Sequence, residues 1–393
     1  MIQRIALILV VILLTACERD EVFPTSFYAC GNFPIEHNPG HPGAAAFTDL
    51  LNEIVSEGVP GMMLTVHDDA HGYWSGAAGF ADLASGTPLE PCHLTRVGST
   101  VKTFTAVSIL LLAEDGLLSI DDPVSQYLSA AELDGIRNAG QATIRQLLQH
   151  ASGIYNYIQH LGFQTASLND LEKVWQPEEL LGYARGADPY FAPGADVRYS
   201  NTNYILLGMI IEKVTGQPFY AFFRQRIFEP LGLNFTRFAA PDPVPAGIIR
   251  GYVDFYSNLD LINATYYSGW DYFTADGGLI ANAHDLNVFL TRLFDGDLLS
   301  AGSLETMLQW QAPNEQAEDG FATDYGLGIF RIATDYGPAY IHSGDAIGYF
   351  ASMVYFPDQD VTITWAVNGN YGKIDQFTQS KEAMERIFQT VLE

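Results

Sequence analysis

Apolar residues first repeat at a regular spacing from residue 44. Between 44 and 58 they recur three and four positions apart and stop at Gly58, which predicts an amphipathic helix. The next segments, GMMLTVHD and GYWSGAAGFAD, are short apolar runs with Asp68 and Asp69 between them. Such runs around aspartates predict two strands joined by a turn.

The spacing is mostly helical from about 117 to 300 and changes to that of strands after 320. The helical block contains TIRQLLQHASG, NYILLGMIIEKVTG, PFYAFFRQRIFEPLG and AHDLNVFLTRLFDG, each ending at a glycine. Four strand-like segments follow, YGLGIFRI, PAYIHSGD, YFASMVYFP and VTITWAVN, before a last predicted helix, KIDQFTQSKEAMERIFQTVL. Short apolar and β-branched runs are typical of strands, and a 3.6-residue spacing is typical of helices.

These elements fit one α/β (α+β) architecture. Strands from both chain ends pair into an antiparallel sheet that the terminal helices cover, and the helical block is an inserted subdomain. No flexible linker separates this block, so we expect one domain over 44–393, with the insert at roughly 117–300. Residues 18–43 are rich in Pro, Gly and Asn and are typical of a tether.

The first 17 residues resemble an export signal. Arg4 precedes an apolar run from Ile5 to Leu14, which is too short to span a bilayer as a helix and is typical of a secretory signal. The signal ends in LTAC, which resembles a bacterial lipobox, and lipidation of Cys17 would anchor the mature protein. Glu18 is not the aspartate of an inner-membrane retention cue, so we expect the bacterial outer membrane, facing the periplasm. The alternative is an ordinary cleaved signal with a chance cysteine.

Composition narrows the class of protein. The chain of 393 residues is 48% apolar and 13% aromatic, which suits a large globular domain. Its net charge of −27 argues against nucleic acid, because binding phosphates needs clustered Lys and Arg. Cys30 and Cys92 remain beside Cys17, and outside the cytoplasm they either pair or stay as thiols.

Several common catalytic motifs are absent from the sequence. It contains no Gly-x-Ser-x-Gly, no His-Glu-x-x-His and no phosphate-binding glycine loop. HDDAH, at 67–71, supplies residue types that bind metals, but it falls at the predicted turn, where aspartate is a turn former. We therefore predict no metal site there, and neither a metal nor an organic cofactor for the protein.

Ser99-x-x-Lys102 is the first chemically informative pattern. The chain has only five lysines, and a helix predicted from Ser99 to Glu114 places both side chains on one face. The start of that helix favours negative charge developing at Ser99. Burial without a carboxylate partner lowers the pKa of a lysine and lets it act as a base. The alternative is a serine helix cap beside a surface lysine.

Two further triplets follow in an informative order. Tyr199-Ser200-Asn201 precedes a helix predicted to begin near Thr202, and His342-Ser343-Gly344 lies on a late predicted strand. Each triplet type also occurs elsewhere, for example at 256–258 and 160–162. Taken alone, triplets of these types are too common to assign a site.

In this order and context the chain resembles the serine β-lactamase and DD-peptidase superfamily, with class C β-lactamases and DD-carboxypeptidase-like esterases as its nearest relatives. The resemblance covers about 44–390 and implies a β-lactamase/transpeptidase-like fold. It rests also on FADLASGTPLEPCHLTRVGSTVKTFTA, LLQHASGI, YSNTNYILLGMIIEKVTG, FEPLGL, ADGGLIANAHDL, YGLGIF and HSGDAIGY.

The resemblance implies roles for three catalytic residues. Ser99 would attack a carbonyl and form an acyl-enzyme, Lys102 would take its proton, and Tyr199 would relay a proton to the leaving group. Which of Lys102 and Tyr199 is the acylation base stays open, because the two would titrate as a coupled pair. Asn201 would hold Lys102 and the substrate amide.

The late strand would complete the site. His342 stands where many relatives carry lysine and is expected to hydrogen-bond toward Tyr199. Gly344 would let the strand backbone approach the substrate. Backbone N–H groups of Ser99 and Asp345 would form the oxyanion hole.

Asp345 departs from the family pattern, which has a small or hydroxyl residue at this position. Ser343 and Asp345 share one face of the strand, and in carboxylate-reading relatives that face meets the carboxylate of the substrate. An ionised Asp345 would repel that group, whereas a pair with Arg331 on the neighbouring strand would cancel the effect. We therefore expect esters or amides without this carboxylate, with a cationic group as a further option.

The predicted function is a lipid-anchored serine hydrolase (esterase, amidase or peptidase) acting on a small-molecule or peptide-like ester or amide in the cell envelope. The alternatives are a DD-carboxypeptidase or β-lactamase acting on carboxylate-bearing substrates, a penicillin-binding sensor without turnover, and a structural lipoprotein. We expect no nucleic-acid partner, and membrane contact only through the lipid anchor.

Overall fold

The computed structural model describes Cys30 and residues 35–242, 244–245, 247–267, 273–316 and 320–393. The predicted signal, Cys17 and most of the predicted tether lie outside the described residues, so the lipid anchor stays a prediction. The helices are α1 Ala44–Ser56, α2 Val101–Glu114, α3 Ile144–Leu148, α4 Leu161–Asn169, α5 Pro177–Gly182, α6 Asn201–Thr215, α7 Phe219–Phe223, α8 Glu229–Leu231, α9 Ala283–Phe294, α10 Ala301–Met307, α11 Gly372–Thr378 and α12 Lys381–Leu392. A π-helical turn, Arg224–Phe228, joins α7 to α8, and 3₁₀ turns cover Gly98–Thr100, Val124–Gln126 and Tyr157–Gln159.

The strands form one large sheet and two small ones. Eight strands pair in the order β3-β2-β1-β13-β12-β11-β10-β9, and every neighbouring pair is antiparallel. The sheet joins the two ends of the domain where β1 pairs with β13, with Met62 opposite Val367. The strands are β1 Gly61–Asp68, β2 Gly72–Asp82, β3 Thr87–Pro88, β4 Thr95–Arg96, β5 Arg237–Phe238, β6 Tyr252–Val253, β7 Ile262–Asn263, β8 Leu279–Ala281, β9 Thr323–Tyr325, β10 Phe330–Thr334, β11 Gly337–Ala346, β12 Tyr349–Phe356, β13 Val361–Val367 and β14 Gly369–Asn370.

Helices cover both faces of the large sheet, which confirms the predicted fold. On one face α1 and α12 pack over the sheet, and Phe47, Trp365 and Phe388 are among the buried residues of that core. On the other face α9 packs against β1, β12 and β13, and Phe104 of α2 stacks on Phe289 of α9 with ring centroids 3.6 Å apart. Central strands buried on both faces explain why GMMLTVHD and VTITWAVN are nearly continuous apolar runs.

One small sheet connects the insert to the segment that precedes Ser99. Strand β4 pairs with β8, and β8 also pairs with β5. Beyond β4, the N–H of Val97 donates to the carbonyl of Leu279 over 3.2 Å. The residues before Ser99 are therefore fixed beside the loop that precedes β8, a contact between segments about 180 residues apart that the periodicity does not reveal.

Two predicted elements are wrong in their extent. The last helix is interrupted, because Ser380 accepts a hydrogen bond from the N–H of Ala383 as the cap of a second helix, α12. YGLGIFRI is not one strand: β9 and β10 are separated at 326–329, where Gly328 has a left-handed φ of 72°. The carbonyl of Gly328 accepts a hydrogen bond from Thr103 Oγ1 on α2, so this turn serves the packing of that helix.

Residues 37–41, the end of the predicted tether, contact the first hairpin. The N–H of Asn38 donates to the carbonyl of Tyr73, and the buried side chain of His41 bonds Asp68. None of the helices in the described part of the chain combines the length and apolar character needed to span a bilayer.

Cys30 and Cys92 form a disulfide with Cα atoms 5.2 Å apart, closing a loop between residues 62 positions apart. A cross-link over a loop of this length removes unfolded-state entropy equivalent to up to ~4 kcal/mol. We expect a reducing agent to lower the free energy of unfolding by up to that amount in urea denaturation. The double variant Cys30→Ser/Cys92→Ser should start lower and show no response to the reductant. Equal stability of the wild-type protein in both conditions would contradict a structural disulfide.

Candidate active site

Ser99 and Lys102 face each other at the start of α2. Ser99 lies in the 3₁₀ turn Gly98–Thr100, which continues directly into the helix. Lys102 Nζ lies 2.9 Å from Ser99 Oγ, and the lysine side chain is fully buried. The predicted common face is therefore confirmed, and the surface-lysine alternative is wrong.

Tyr199 approaches the same oxygen from the insert. It precedes α6, and its hydroxyl lies 2.9 Å from Ser99 Oγ. The ring of Tyr199 packs on His150, with centroids 4.4 Å apart. Desolvation raises the pKa of Tyr199 well above its usual value, so its hydroxyl is protonated at neutral pH.

Gly344 has a packing role that the sequence did not indicate. A Cβ on Gly344 would lie 2.1 Å from the carbonyl oxygen of Val97 and 2.4 Å from the nitrogen of Ser99. The missing side chain therefore lets β11 pack against the nucleophile turn, Gly98–Thr100, and the approach of a substrate to Gly344 stays a prediction. A Cβ on Gly98 would lie 2.8 Å from the nitrogen of Asp345, which brings the two backbone segments of the predicted oxyanion hole together.

His342 does not make the predicted hydrogen bond to Tyr199. Its Nδ1 lies 2.8 Å from the carbonyl of Ser343, which accepts only, so Nδ1 carries the proton. Nε2 is then a buried acceptor, and it has no hydrogen-bond partner among the described residues. Burial, with the charge of Lys102 as a smaller cause, lowers the pKa of His342 to about 3. The imidazole is therefore neutral and differs from the lysine of many relatives.

Asn201 is placed by a residue that the sequence analysis missed. It begins α6, and its backbone N–H and Nδ2 both donate to Asn156 Oδ1, over 3.2 and 3.4 Å. Asn156 lies just beyond LLQHASGI, a segment valued in the sequence only as a landmark. Contact of Asn201 with Lys102 and with a substrate amide stays a prediction.

Asp345 is on the cavity wall and is not paired with Arg331. The guanidinium of Arg331 bonds Asp324 through Nε over 3.1 Å and through Nη2, so the predicted cancelling pair is absent. Neutral amides of Asn370 and Gln379 donate to Asp345 Oδ1, each over 3.3 Å. Desolvation raises the pKa of Asp345, and these two hydrogen bonds partly oppose that shift. Ser343, on the same strand face, bonds Ser352 Oγ over 2.8 Å.

Asp276 is the second acidic residue of the site, and sequence reasoning missed it. Its carbonyl accepts a hydrogen bond from Lys102 Nζ, and its side chain is 2% exposed. Tyr157 donates to its Oδ2 over 3.1 Å. The segment ADGGLIANAHDL contains this residue, but only the pairing of β4 with β8 places it beside Lys102.

These residues surround a cavity of about 520 Å³. No arginine or lysine is among the described residues that line it. The carboxylates of Asp276 and Asp345 are its acidic groups, and aromatic and aliphatic side chains form much of the rest. The lining residues are Ser99, Ile158, Tyr199, Asn201, Asp276, Gly277, Phe321, Thr323, Phe330, Ile332, Ile341, His342, Ser343, Asp345 and Met384.

HDDAH forms the predicted hairpin tip, where Asp68 Oδ1 accepts from the N–H groups of Ala70 and His71. Asp68, His71 and His41 bring three metal-ligand types together. However, His41 Nδ1 accepts from the N–H of Gly43, so Nε2 carries the proton that His41 shares with Asp68 over 2.9 Å. A protonated Nε2 cannot ligate a metal, which favours a hydrogen-bonded turn.

Comparisons with known proteins agree with this geometry. A family model described as Beta-lactamase matches residues 44–383. Penicillin-binding protein 4* of Bacillus subtilis (strain 168) is 31% identical over 302 residues, which are 74% of this chain and 64% of that protein. Protein flp of Staphylococcus aureus (strain COL) is 26% identical, and the match covers 62% of its length. The chain thus spans less than two thirds of the length of these curated relatives.

The matches to two solved structures cover nearly the whole length of those proteins. The D-stereospecific amidohydrolase from Streptomyces sp. superposes with a TM-score of 0.74 at 28% identity, over 87% of this chain and 97% of that one. The D-amino acid amidase from Ochrobactrum anthropi SV3 superposes with a TM-score of 0.77 at 25% identity, over 89% and 98%. The similarity therefore extends through the insert as well as the sheet.

The contact at Gly344 gives a direct test of the site. In Gly344→Ala the added Cβ must displace the backbone of the nucleophile turn, and a displacement of about 1 Å lowers kcat/KM by roughly 100-fold. Overpacking should also lower the free energy of unfolding by ~1–3 kcal/mol. Ester hydrolysis and urea denaturation measure the two effects.

Gly302→Ala is the matched control, because a Cβ there meets nothing within 4 Å. It lies in α10, where alanine is a better helix former than glycine, so both stability and kcat/KM should hold. Wild-type kcat/KM in Gly344→Ala would contradict the proposed packing role.

Proposed function

We propose that this chain, which belongs to the beta-lactamase family, is a serine hydrolase that acylates Ser99 and prefers amides and esters of D-amino acids with a free ammonium group. The family is one of serine hydrolases that includes β-lactamases, penicillin-binding proteins and D-amino acid amidases. The proposed preference for a free ammonium group rests on the residues that line the cavity.

The carboxylate of Asp345 is the observation that carries this preference. It lies on the wall of the cavity that contains Ser99, and its described hydrogen-bond donors are neutral amides. An ionised carboxylate without a cationic partner repels a substrate carboxylate and attracts an ammonium. The cavity therefore favours a cationic substrate over penicillins, which carry a carboxylate.

The protonation of Tyr199 favours Lys102 as the acylation base. As Ser99 Oγ bonds to the carbonyl carbon, its proton passes to Lys102 Nζ and the carbonyl electron pair moves onto the oxygen. The adjacent backbone N–H groups of Ser99 and Asp345 would stabilise that oxyanion. The carbon–nitrogen bond then breaks as the leaving amine takes a proton through the hydroxyl of Tyr199. A water molecule reverses these proton transfers and releases the acid.

Two structural relatives support the substrate class. Their names specify a D-stereospecific amidohydrolase and a D-amino acid amidase, and the α-ammonium group of a D-amino acid amide has the positive charge that Asp345 favours. Other relatives are named for penicillin binding and for β-lactamase activity, so the test includes a β-lactam.

Hydrolysis of D-phenylalanine amide should exceed that of its N-acetyl derivative, of L-phenylalanine amide and of nitrocefin, measured as kcat/KM. Ser99→Ala should abolish all turnover. Asp345→Asn should lower the preference for the free amine over the N-acetyl substrate by about tenfold, the value of a charge-assisted contact of ~1.4 kcal/mol.

Asp360→Asn is the matched control, because it makes the same acid-to-amide change at the turn between β12 and β13. It should leave the substrate preference unaltered. Faster turnover of nitrocefin than of the free amide by wild-type protein would overturn the substrate proposal. Amide hydrolysis that survives Ser99→Ala would overturn the enzyme mechanism itself.

A further inference from the structure

Asp276 is a buried acid within the catalytic cluster that the mechanism above does not use. Lys102 Nζ donates to the backbone carbonyl of this residue, so the carboxylate belongs to the residue that holds the catalytic lysine. Tyr157 donates to Oδ2 and the side chain of Thr274 also hydrogen-bonds this carboxylate, whereas Oδ1 is buried and lacks a hydrogen-bond partner among the described residues. An unsatisfied, ionised carboxylate oxygen at such a site carries a high desolvation cost.

The other groups around Lys102 are neutral acceptors or weak acids. Burial lowers the pKa of His150 well below its usual value, and that of His342 is about 3. Burial likewise raises the pKa values of Tyr199 and Tyr204 well above the usual range. The titratable groups that face Lys102 and Asp276 are Tyr157, Tyr199, Tyr204, His150 and His342. Lys102 and Asp276 are therefore the remaining ionisable pair of this cluster among the described residues.

We propose that Asp276 and Lys102 share one proton, and that Asp276 holds it on its unpaired oxygen when Lys102 acts as the base. The neutral pair avoids the cost of burying an ammonium and a carboxylate together. Burial raises the pKa of Asp276, although the charge of Lys102 opposes that shift. This inference rests on the proposed serine-hydrolase mechanism and adds the group that keeps its base unprotonated.

In the active form Asp276 is a carboxylic acid and Lys102 Nζ has a free electron pair. The proton of Ser99 moves to Nζ during acylation and leaves with the amine through Tyr199, while the proton on Asp276 stays in place. In the inactive form of equal total charge, the proton lies on Nζ and Asp276 is ionised.

The pH dependence of kcat/KM distinguishes proton sharing from a simple counter-ion. When the proton is shared, wild-type protein stays active until a second proton adds to the pair at low pH. In Asp276→Asn, Lys102 lies beside a neutral amide instead of a neutral acid, so the acid limb should keep its position or move to higher pH. A simple counter-ion favours the ammonium, and its removal would move the limb to lower pH.

The substrate for this test is a neutral phenyl acetate, so that ammonium binding does not contribute. A limb moved to lower pH would overturn proton sharing. Asp360→Asn is the matched control: it makes the same acid-to-amide change at the turn between β12 and β13, and the midpoint of the acid limb should stay at its wild-type value. Turnover that persists in Ser99→Ala would instead contradict the proposed function, so the two failures are distinct.

Infrared spectroscopy tests the same pair without turnover. At neutral pH the wild-type spectrum should contain the C=O stretch of a protonated carboxylic acid that is missing from Asp276→Asn. Asp276→Ala gives the same comparison if the asparagine variant does not fold. A difference spectrum without this band would overturn the proposal. If the band disappears in Asp345→Asn as well, it does not report a proton on Asp276, and the proposal is overturned too.

Discussion

The close contact between β11 and the nucleophile turn is the constraint on which the catalytic site depends. Gly344 lets the strand backbone lie where a side chain would strike Val97 and Ser99. This contact attaches the start of α2 to the sheet, while β4 and β8 attach it to the insert. Ser99 therefore lies where two layers of the fold meet, and groups from both layers reach it without a flexible loop.

Burial then determines the chemistry of these groups. A tyrosine and two histidines around Lys102 are neutral because the protein desolvates them, so their hydrogen-bond roles are set by geometry. The same low dielectric makes each remaining charge influential. Asp345 and Asp276 lie in these surroundings. Asp345 is on the cavity wall that would meet a substrate, and the backbone carbonyl of Asp276 accepts a hydrogen bond from Lys102.

Much of the fold follows from local patterns. Apolar spacing predicted α1, the first hairpin, α2, α6, α9 and the late strands, because each buries a face whose period the sequence repeats. The same patterns placed Ser99 and Lys102 on one helical face and placed Tyr199 before a helix. They failed at Gly328, where a turn that serves distant packing has no local period, and at Ser380, where a local helix cap interrupts a continuous apolar spacing.

The sequence by itself determined the family, the sheet with its helical insert, and the identity of Ser99, Lys102 and Tyr199 as one group. Tertiary structure decided how the rest of the site is paired. Gly344 supports the nucleophile turn, Arg331 bonds Asp324 and leaves Asp345 to the cavity, and Asp276 lies beside a lysine 174 positions earlier. A side chain's partner depends on which strands and loops become neighbours, and hydrophobic periodicity records which face of an element is buried but not what covers it.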